Sequence, residues 1–258
     1  MSEDFKFMFK MPTPEEHRAV SLKWLERVQP TLIDQWPAEL AALSIPTKMV
    51  KLDVDAVWEA LCAVHDGKGI APVLRDLAAE LDAEMDWNRK FVRLNSRSPK
   101  DAIWPFEVPA MISGKEAVSM MLSSMRVMDD LMEFKWVSEQ PAYVCLRDWV
   151  YDFRTECEYR CFVKDGKLIA VTHYDYTKPF RAPEDGGKEL RQRIDKWFAE
   201  TLSPTLPIQT VVFDIHANRD GTFLLIEINP YGRSDPCHFE TYERVENATS
   251  FIEFGAAA

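Results

Sequence analysis

The sequence predicts a protein of the α+β class, from the order of its patterns along the chain. Helical periodicity dominates as far as about residue 88, and from Lys90 onwards short strand-like runs alternate with helices. Two turn signals, DG at 165–166 and NRDG at 218–221, each separate two apolar runs and predict antiparallel hairpins. The 258 residues are 47% hydrophobic, which is enough for a sizeable core in one large or two small domains.

Residues 1–88 are predicted to form a mainly helical region. TPEE at 13–16 combines a capping box with proline at the first helical position, and Val20, Leu25 and Val28 then supply an apolar stripe. Two further helices are expected from helical spacing, one carrying Val57, Trp58, Leu61 and Val64, the other opened by Pro72 and carrying Val73, Leu77 and Leu81. We expect these helices to be structural.

Residues 89–145 are predicted to form the first α+β subdomain. The strand-like FVRLN at 91–95 runs into a turn rich in small and basic residues, and Ser113 opens a helix through a capping pattern with Glu116. The run SMMLSSMRVMDDLM at 119–132 is expected to be one helix. Its methionines either fill a core, which we favour, or form a promiscuous binding face.

Residues 146–258 are predicted to form the second subdomain. It begins within the strand-like YVCLRDWV and contains both hairpins. Between them, ELRQRIDKWFAETL is expected to be an amphipathic helix whose apolar stripe consists of Leu190, Ile194, Trp197 and Phe198.

Composition excludes several classes of function. The net charge of −11 argues against extended contact with nucleic-acid backbones, although a local basic pocket for a phosphate is compatible with it. A P-loop motif and a dinucleotide-binding glycine motif are both missing. Five cysteines without a C-x-x-C pair indicate free thiols, and no run resembles a membrane span or a secretory signal. We therefore expect a cytoplasmic protein that does not associate with a membrane.

The hairpin expected at 211–229, from VVFDIHAN and TFLLIEIN, places oxygen-bearing side chains in apolar strands. With a loop of two or four residues, Ala217 lies opposite Thr222 and Asp214 lies opposite Leu225, so Asp214 shares a face with Glu227 and Asn229. Glu227 would then be diagonal to Asp214, at roughly 7–8 Å between backbones. Two carboxylates at that separation can hold a Mg²⁺ ion between them. The alternative is a half-exposed hairpin whose polar face is only hydrated.

The hairpin expected at 156–176, ECEYRCFVKDGKLIAVTHYDY, predicts an ionic face. A two-residue turn at 165–166 pairs Lys164 with Lys167 and Arg160 with Val171, and it sets Glu158 opposite His173. Glu158, Arg160, His173 and Asp175 would then share one face. Cross-strand ion pairs on a solvated surface explain such a face, and so does a pocket for phosphate and sugar.

A third basic element follows the strand at 91–95. Arg93, Arg97 and Lys100 lie within eight residues and are interleaved with serines. This composition suits a phosphate cradle, and it also suits an ordinary solvated loop.

These elements, taken in order, resemble the cell division cycle protein 123 family, a divergent clade of the ATP-grasp fold. The matching pieces cover roughly residues 90–235: LNSRSPKDAIW at 94–104, LRDW at 146–149, EYRCFVKDGKLIAV at 158–171, DYT at 175–177 and FDI…IEINPYG at 213–232. Arg93 stands where lysine is usual in the family, and Ser96 where an aromatic residue is often found. An acidic insertion of the eukaryotic members is missing.

The resemblance implies an ATP site with magnesium bridging the phosphates, held by two α+β subdomains. It implies magnesium ligation by Asp214, Glu227 and Asn229, ribose contact by Glu158, and phosphate contact by the cationic residues Arg160 and Arg93. It also implies that the backbone of the hinge Cys145-Leu146-Arg147 meets adenine. Lys100, Asp175 and Lys178 are expected near the triphosphate.

Two functions are compatible with this prediction. The first is an ATP-dependent ligase that forms an acylphosphate on an unidentified acceptor, for example a carboxylate–amine ligase, in which Arg160 and Arg93 neutralise the transferring phosphoryl group. The second is a non-catalytic, ATP-bound assembly chaperone for a protein complex, because eukaryotic members of the family assist assembly of a translation initiation factor. A degenerate fold that binds no nucleotide is the remaining alternative.

Overall fold

The computed structural model describes residues 12–86, 88–102, 109–177, 183–185, 187–249 and 252–254. Contacts divide the described chain into two compact units. The first consists of the chain up to Gln29 together with Lys48–Arg147, and the second consists of Pro30–Thr47 together with the chain from Asp148 onwards. The mixture of helices and strands confirms the α+β class. Among the described residues, no helix is both long and apolar enough to cross a membrane. The predicted divisions after residues 88 and 145 remain a prediction.

The first unit combines helices with a three-stranded sheet. Its helices are α1 (Pro14–Val28), α3 (Val54–His65), α4 (Pro72–Glu84), α5 (Gly114–Leu122) and α6 (Met125–Trp136); the short helix α2 (Ala38–Ala41) belongs to the second unit. The sheet has the order β1-β3-β2, formed by β1 (Thr47–Lys51), β2 (Lys90–Leu94) and β3 (Tyr143–Asp148).

Helix α1 begins where the sequence predicts it, and its predicted apolar stripe is only partly correct, since Leu25 and Val28 are half-buried. The Thr13 hydroxyl accepts a hydrogen bond from the Glu16 backbone N–H, and the Glu16 carboxylate accepts one from the Thr13 N–H at 2.7 Å. Val20 is nevertheless 60% exposed, and Ser21 is the residue that this helix buries. Its packing uses aromatic residues instead, because Trp24 meets Phe134 of α6 edge to face at 5.1 Å.

The methionine-rich run at 119–132 forms two helices, not the single helix expected. Helix α5 ends at Leu122, and Ser124 caps α6 by accepting a hydrogen bond from the Val127 N–H at 3.1 Å. Serine competes with helical hydrogen bonding through its own side chain, which makes it a frequent N-cap. Core filling is correct for Met120 and Met121, whereas Met125 is 68% exposed.

The second unit is built on a five-stranded sheet of order β7-β6-β4-β5-β8. The strands are β4 (Glu158–Lys164), β5 (Lys167–His173), β6 (Val211–Ala217), β7 (Phe223–Pro230) and β8 (Ile252–Glu253); the helices that follow β5 and β7 are α7 (Lys188–Trp197) and α8 (Tyr242–Glu246). Ile194 and Phe198 of the predicted stripe are buried against one face, together with Phe213 and Ile215.

The outer edge of β7 is partly covered by the segment that precedes β1. Ser44 forms a parallel bridge with Leu225, and its hydroxyl donates to the Leu225 carbonyl at 2.7 Å. The Leu225 N–H donates to the Leu43 carbonyl at 2.9 Å. The part of the second unit that precedes β1 in the sequence therefore borders this sheet at β7.

The hairpin β4–β5 has the predicted turn but a different register. Asp165 and Gly166 have φ values of 51° and 75°, as a two-residue hairpin turn requires, and Lys164 lies opposite Lys167. Beyond Val163 the register shifts by one residue, because Ile169 is an extra residue in β5 and forms a β-bulge.

This bulge overturns the predicted ionic face. Arg160 lies opposite Thr172, not Val171, and Tyr159, not Glu158, lies opposite His173. His173 therefore points to the face of Tyr159, with ring centroids 5.7 Å apart, and not to the face of Glu158 and Arg160. Burial lowers the pKa of His173 below its ordinary value.

The hairpin β6–β7 departs from the predicted register twice. Ala217 lies opposite Phe223 instead of Thr222, and a second bulge at Ile226 places Asp214 opposite Glu227. Leu225 lies opposite Ile215 and enters the apolar core, contrary to the prediction. The shift at the turn and the shift at Ile226 total two residues, and a shift of two residues keeps every side chain on its predicted face. The prediction that Asp214 and Glu227 share a face is therefore confirmed, but the two residues are directly opposed and not diagonal.

Candidate functional site

Three charged residues form one row across three adjacent strands of the second unit. Arg160 on β4 lies opposite Asp214 on β6, and Asp214 lies opposite Glu227 on β7. Directly opposed residues have Cα atoms roughly 4.5–5.5 Å apart, so these side chains are neighbours on one face. All three are buried, with exposed fractions of 4%, 0% and 6%. A row of charges at this depth is costly unless its members are paired.

Arg160 pairs with Asp214 through a two-pronged ion pair. The Arg160 Nε donates to Asp214 Oδ1 at 2.8 Å, and Nη2 donates to Oδ2 at 2.7 Å. The same Nη2 lies 4.0 Å from Glu227 Oε1. Burial alone would lower the pKa of Arg160, but the charge of Asp214 and its hydrogen bonds outweigh burial and hold this pKa above its ordinary value. The guanidinium group is therefore a permanent positive charge in the row.

Two residues that sequence reasoning missed hold the guanidinium group from other sides. Its Nη1 donates to the Asp235 backbone carbonyl at 2.9 Å, and its Cζ lies 4.8 Å from the centroid of the Tyr174 ring. A backbone contact carries no side-chain signal, so Asp235 could not be found from its residue type. The Asp235 carboxylate accepts a hydrogen bond from the Tyr176 hydroxyl at 2.8 Å, which raises the pKa of Tyr176.

Asn229 completes the predicted metal set. It lies opposite Val212, on the same face as Asp214, and its Nδ2 is 3.5 Å from Asp214 Oδ2. Among the described residues, no group of three His, Cys, Asp or Glu side chains forms a metal centre. The predicted set has only two carboxylates, and its third member is a carboxamide. Its donors include the carboxylate oxygens of Asp214 and Glu227 and the carboxamide oxygen of Asn229, which are hard oxygens, the type that Mg²⁺ prefers. The chemistry of the donors therefore fits Mg²⁺.

The remaining predicted residues of the second unit are Glu158, Asp175 and Lys178. Glu158 begins β4, is buried and shares a face with Arg160; it lies opposite His216. Asp175 follows β5, and its Oδ1 accepts hydrogen bonds from the Thr177 backbone N–H at 3.1 Å and from the Thr177 hydroxyl at 2.5 Å. Lys178 lies outside the described residues.

The predicted residues of the first unit lie on β2, on β3 and in the turn after β2. Arg93 is buried, and its guanidinium group donates to the backbone carbonyls of Leu94 at 3.0 Å and Ser96 at 3.4 Å. Lys100 is exposed in the turn, where its backbone N–H donates to the Ser98 carbonyl. These contacts hold the turn in shape; the phosphate role of both residues remains a prediction.

The predicted adenine segment lies in the central strand of the three-stranded sheet. Cys145, Leu146 and Arg147 are all buried in β3, and the division between the units falls directly after Arg147. Their proposed contact with adenine through the backbone remains a prediction.

Comparison with solved structures establishes the fold. Cdc123 from Schizosaccharomyces pombe matches with a TM-score of 0.71 at 23% identity, over 89% of this chain and 96% of that one. A C-terminally truncated form of the same protein matches with a TM-score of 0.72 at 21% identity, over 90% and 97% of the two chains. At this level of identity the likeness shows a common fold.

Comparison of sequences points the same way. The Xenopus laevis protein named translation initiation factor eIF2 assembly protein is 28% identical over 175 residues, which is 60% of this chain and 48% of the relative. The Aspergillus oryzae protein of the same name is 29% identical over 171 residues, 58% of this chain and 40% of the relative. The chain thus spans about half or less of the length of these curated relatives.

A family model described as D123 matches residues 65–253, close to three quarters of the chain. The resemblance to the cell division cycle protein 123 family is therefore confirmed, and the chain shares the fold of Cdc123. With its fold and most of its length accounted for in this way, the chain belongs to the D123 family.

Proposed function

We propose that the protein binds ATP together with Mg²⁺. The observation that carries this proposal is the buried row of Arg160, Asp214 and Glu227, with Asn229 beside it. Burying two carboxylates in neighbouring strands is expensive for a purely structural sheet, and a cation site is a reason to keep them there. Membership of the D123 family, which is expected to have an ATP-grasp fold, supports the choice of ATP as the nucleotide.

In this proposal the second unit holds the metal. Asp214 and Glu227 supply carboxylate oxygens and Asn229 supplies its carboxamide oxygen. When bound, Mg²⁺ neutralises charge on the phosphate oxygens of ATP. Glu158 is proposed to accept hydrogen bonds from ribose, and Asp175 to act near the phosphates, while Arg160 lies beside the metal ligand Asp214. The proposal further assigns nucleotide contacts to Arg93, Lys100, Cys145, Leu146, Arg147 and Lys178.

Calorimetric titration of ATP tests the proposal. The wild type should bind ATP in the presence of Mg²⁺ and clearly more weakly when EDTA replaces it. Glu227→Ala should weaken binding in Mg²⁺ by about tenfold or more, which is the loss of one charged ligand interaction. Glu246→Ala is the matched control, because this exposed glutamate of the same unit pairs with Lys164 instead. Absence of binding by the wild type would overturn the proposal.

For the role of the bound nucleotide, we propose assembly of a protein complex in the cytoplasm. The observation that favours it is the similarity to the Xenopus laevis and Aspergillus oryzae proteins, which are named as assembly proteins of translation initiation factor eIF2. In a pull-down, we expect a stoichiometric complex between this protein and a translation initiation factor, in which ATP is bound but not consumed. The ATP-dependent ligase with an unidentified acceptor remains the alternative, and ATP consumption that requires an added acceptor would favour it.

A further inference from the structure

The guanidinium group of Arg160 lies where a cation would be expected. It contacts both oxygens of Asp214, at 2.8 and 2.7 Å, and the nitrogen that reaches Oδ2 is also 4.0 Å from Glu227 Oε1. A positive group close to both carboxylates supplies half of the positive charge that a divalent ion would bring. The Asp235 carbonyl and the Tyr174 ring hold it there.

This arrangement differs from that of an arginine poised to grip a phosphate. Arginine usually grips phosphate or carboxylate with two parallel N–H groups, and the Nε and Nη2 groups of Arg160 are already used by Asp214. Asp214 is fully buried, so the ion pair has no contact with solvent on that side. Neutralisation of the buried Asp214 carboxylate explains this geometry of Arg160 more directly than a phosphate contact does.

We propose that Arg160 is a resident counter-cation of this site, which compensates Asp214 and Glu227 before a divalent ion binds and competes with that ion for Asp214. The proposal deepens the proposed function and rests on it, because it takes Asp214, Glu227 and Asn229 as the metal ligands. It makes Arg160 a positioning residue whose removal tightens cation binding, whereas a residue that orients the ligands for the metal would weaken binding when removed.

Thermal unfolding of the full chain against MgCl₂ alone, at constant ionic strength and without nucleotide, tests the proposal. Arg160→Met should have a lower Tm than the wild type in EDTA, because its carboxylates lose their counter-charge. Mg²⁺ should then raise the Tm of the variant by about 5 °C or more, while the wild type gains less. The Mg²⁺ concentration at half of this rise should be lower in the variant than in the wild type by about tenfold.

Arg191→Met is the matched control. Arg191 is also a buried arginine of the same unit, 6% exposed, and it donates to Asp195 Oδ1 at 2.9 Å and to the Leu168 carbonyl at 3.1 Å. Its loss should lower the Tm without creating a response to Mg²⁺. Equal responses of the two variants, or a higher Mg²⁺ midpoint in Arg160→Met, would overturn the proposal.

A double variant keeps the test decisive if Arg160→Met does not fold. Arg160→Met/Asp214→Asn removes both charges of the pair, so it should fold and should have lost most of the rescue by Mg²⁺. If neither variant folds, Arg160→Lys serves, because its ammonium keeps the charge but loses the two-pronged contact. A Tm of Arg160→Lys that responds to Mg²⁺ no more than that of the wild type would then count against the proposal.

Failure of this inference differs from failure of the proposed function. Wild-type protein that binds ATP with Mg²⁺, combined with no rescue of Arg160→Met, overturns the counter-cation role alone. Wild-type protein that binds no ATP overturns the nucleotide function, whereas rescue of the variant by Mg²⁺ alone would still support the role of Arg160.

Discussion

Each unit contains a buried aspartate paired with an arginine, and the two pairs differ in their surroundings. The side chain of Asp214 is fully buried and that of Arg160 is 5% exposed, so neither member of this pair is open to solvent. Asp130 is 2% exposed, but its partner Arg97 is 34% exposed, and Ser96 adds a hydrogen bond of 2.5 Å from its hydroxyl to Asp130 Oδ2. The first pair lies inside a sheet, and the second ties the turn after β2 to helix α6.

The difference teaches how much each carboxylate depends on its arginine. An arginine that is a third exposed can exchange its partner for water, whereas one enclosed in the sheet cannot. We therefore expect the unfolding free energy to fall more when one member of the Arg160–Asp214 pair is removed. For the Arg97–Asp130 pair, we expect the loss to depend mainly on the contacts of the buried aspartate.

The largest effect is expected for Asp214→Ala. Removing this carboxylate leaves the guanidinium group of Arg160 buried beside the weaker contact to Glu227, which should cost about 3–5 kcal/mol of unfolding free energy. Urea unfolding in EDTA measures it. Glu246→Ala is the control, because both side chains of its pair with Lys164 are about two fifths exposed, at 41% and 42%, so its loss should cost far less. Similar costs for both variants would remove the distinction between buried and exposed pairs.

A smaller loss is expected for Asp130→Ala. This substitution removes the contacts with Arg97 and Ser96, but Arg97 regains water, so we expect a cost of about 1–3 kcal/mol. The same urea measurement applies. A cost equal to or above that of Asp214→Ala would reverse the ranking of the two pairs.

The smallest effect is a dependence on pH that belongs to Asp130. Burial raises the pKa of Asp130 above its ordinary value of 3.8, although Arg97 and Ser96 act against it. The folded state therefore holds this proton more tightly than the unfolded state, and the resulting stabilisation is complete below pH 3.8 and lost as the pH rises through the folded-state pKa.

Comparison with Asp130→Asn isolates this dependence. The unfolding free energy of the wild type minus that of Asp130→Asn should fall as the pH rises from 3.8 through the folded-state pKa of Asp130. Urea unfolding at a series of pH values measures this difference. A difference that grows with pH would mean that Arg97 outweighs burial at this site.

Local features of the fold could be predicted from the sequence, because their causes lie within a few residues. The capping of α1 by Thr13 and the turn at Asp165 and Gly166 are examples. The break between α5 and α6 was within reach as well, since Ser124 is a suitable N-cap. The exposure of Val20 was not, because it depends on which face α6 covers.

The shared face of Asp214 and Glu227 could be predicted from the sequence, but their spacing and the pairing of Asp214 with Arg160 could not. Asp214 and Glu227 were placed on one face by alternation, which is a local rule. Their direct opposition depends on the bulge at Ile226, and the position of His173 depends on the bulge at Ile169. A bulge is decided by packing on both faces of the sheet, and no short run of residues determines it.

The contact between Ser44 and Leu225 has a consequence for what counts as one domain. The recognisable family sequence begins at residue 65, yet the strand that carries Glu227 and Asn229 completes its outer edge with residues 43 and 44. An uncovered edge strand invites pairing with other chains. The stretch that matches the family is thus shorter than the stretch that folds together with β7. A protein trimmed to residues 65–253 would expose more of the β7 edge and would be more prone to self-association.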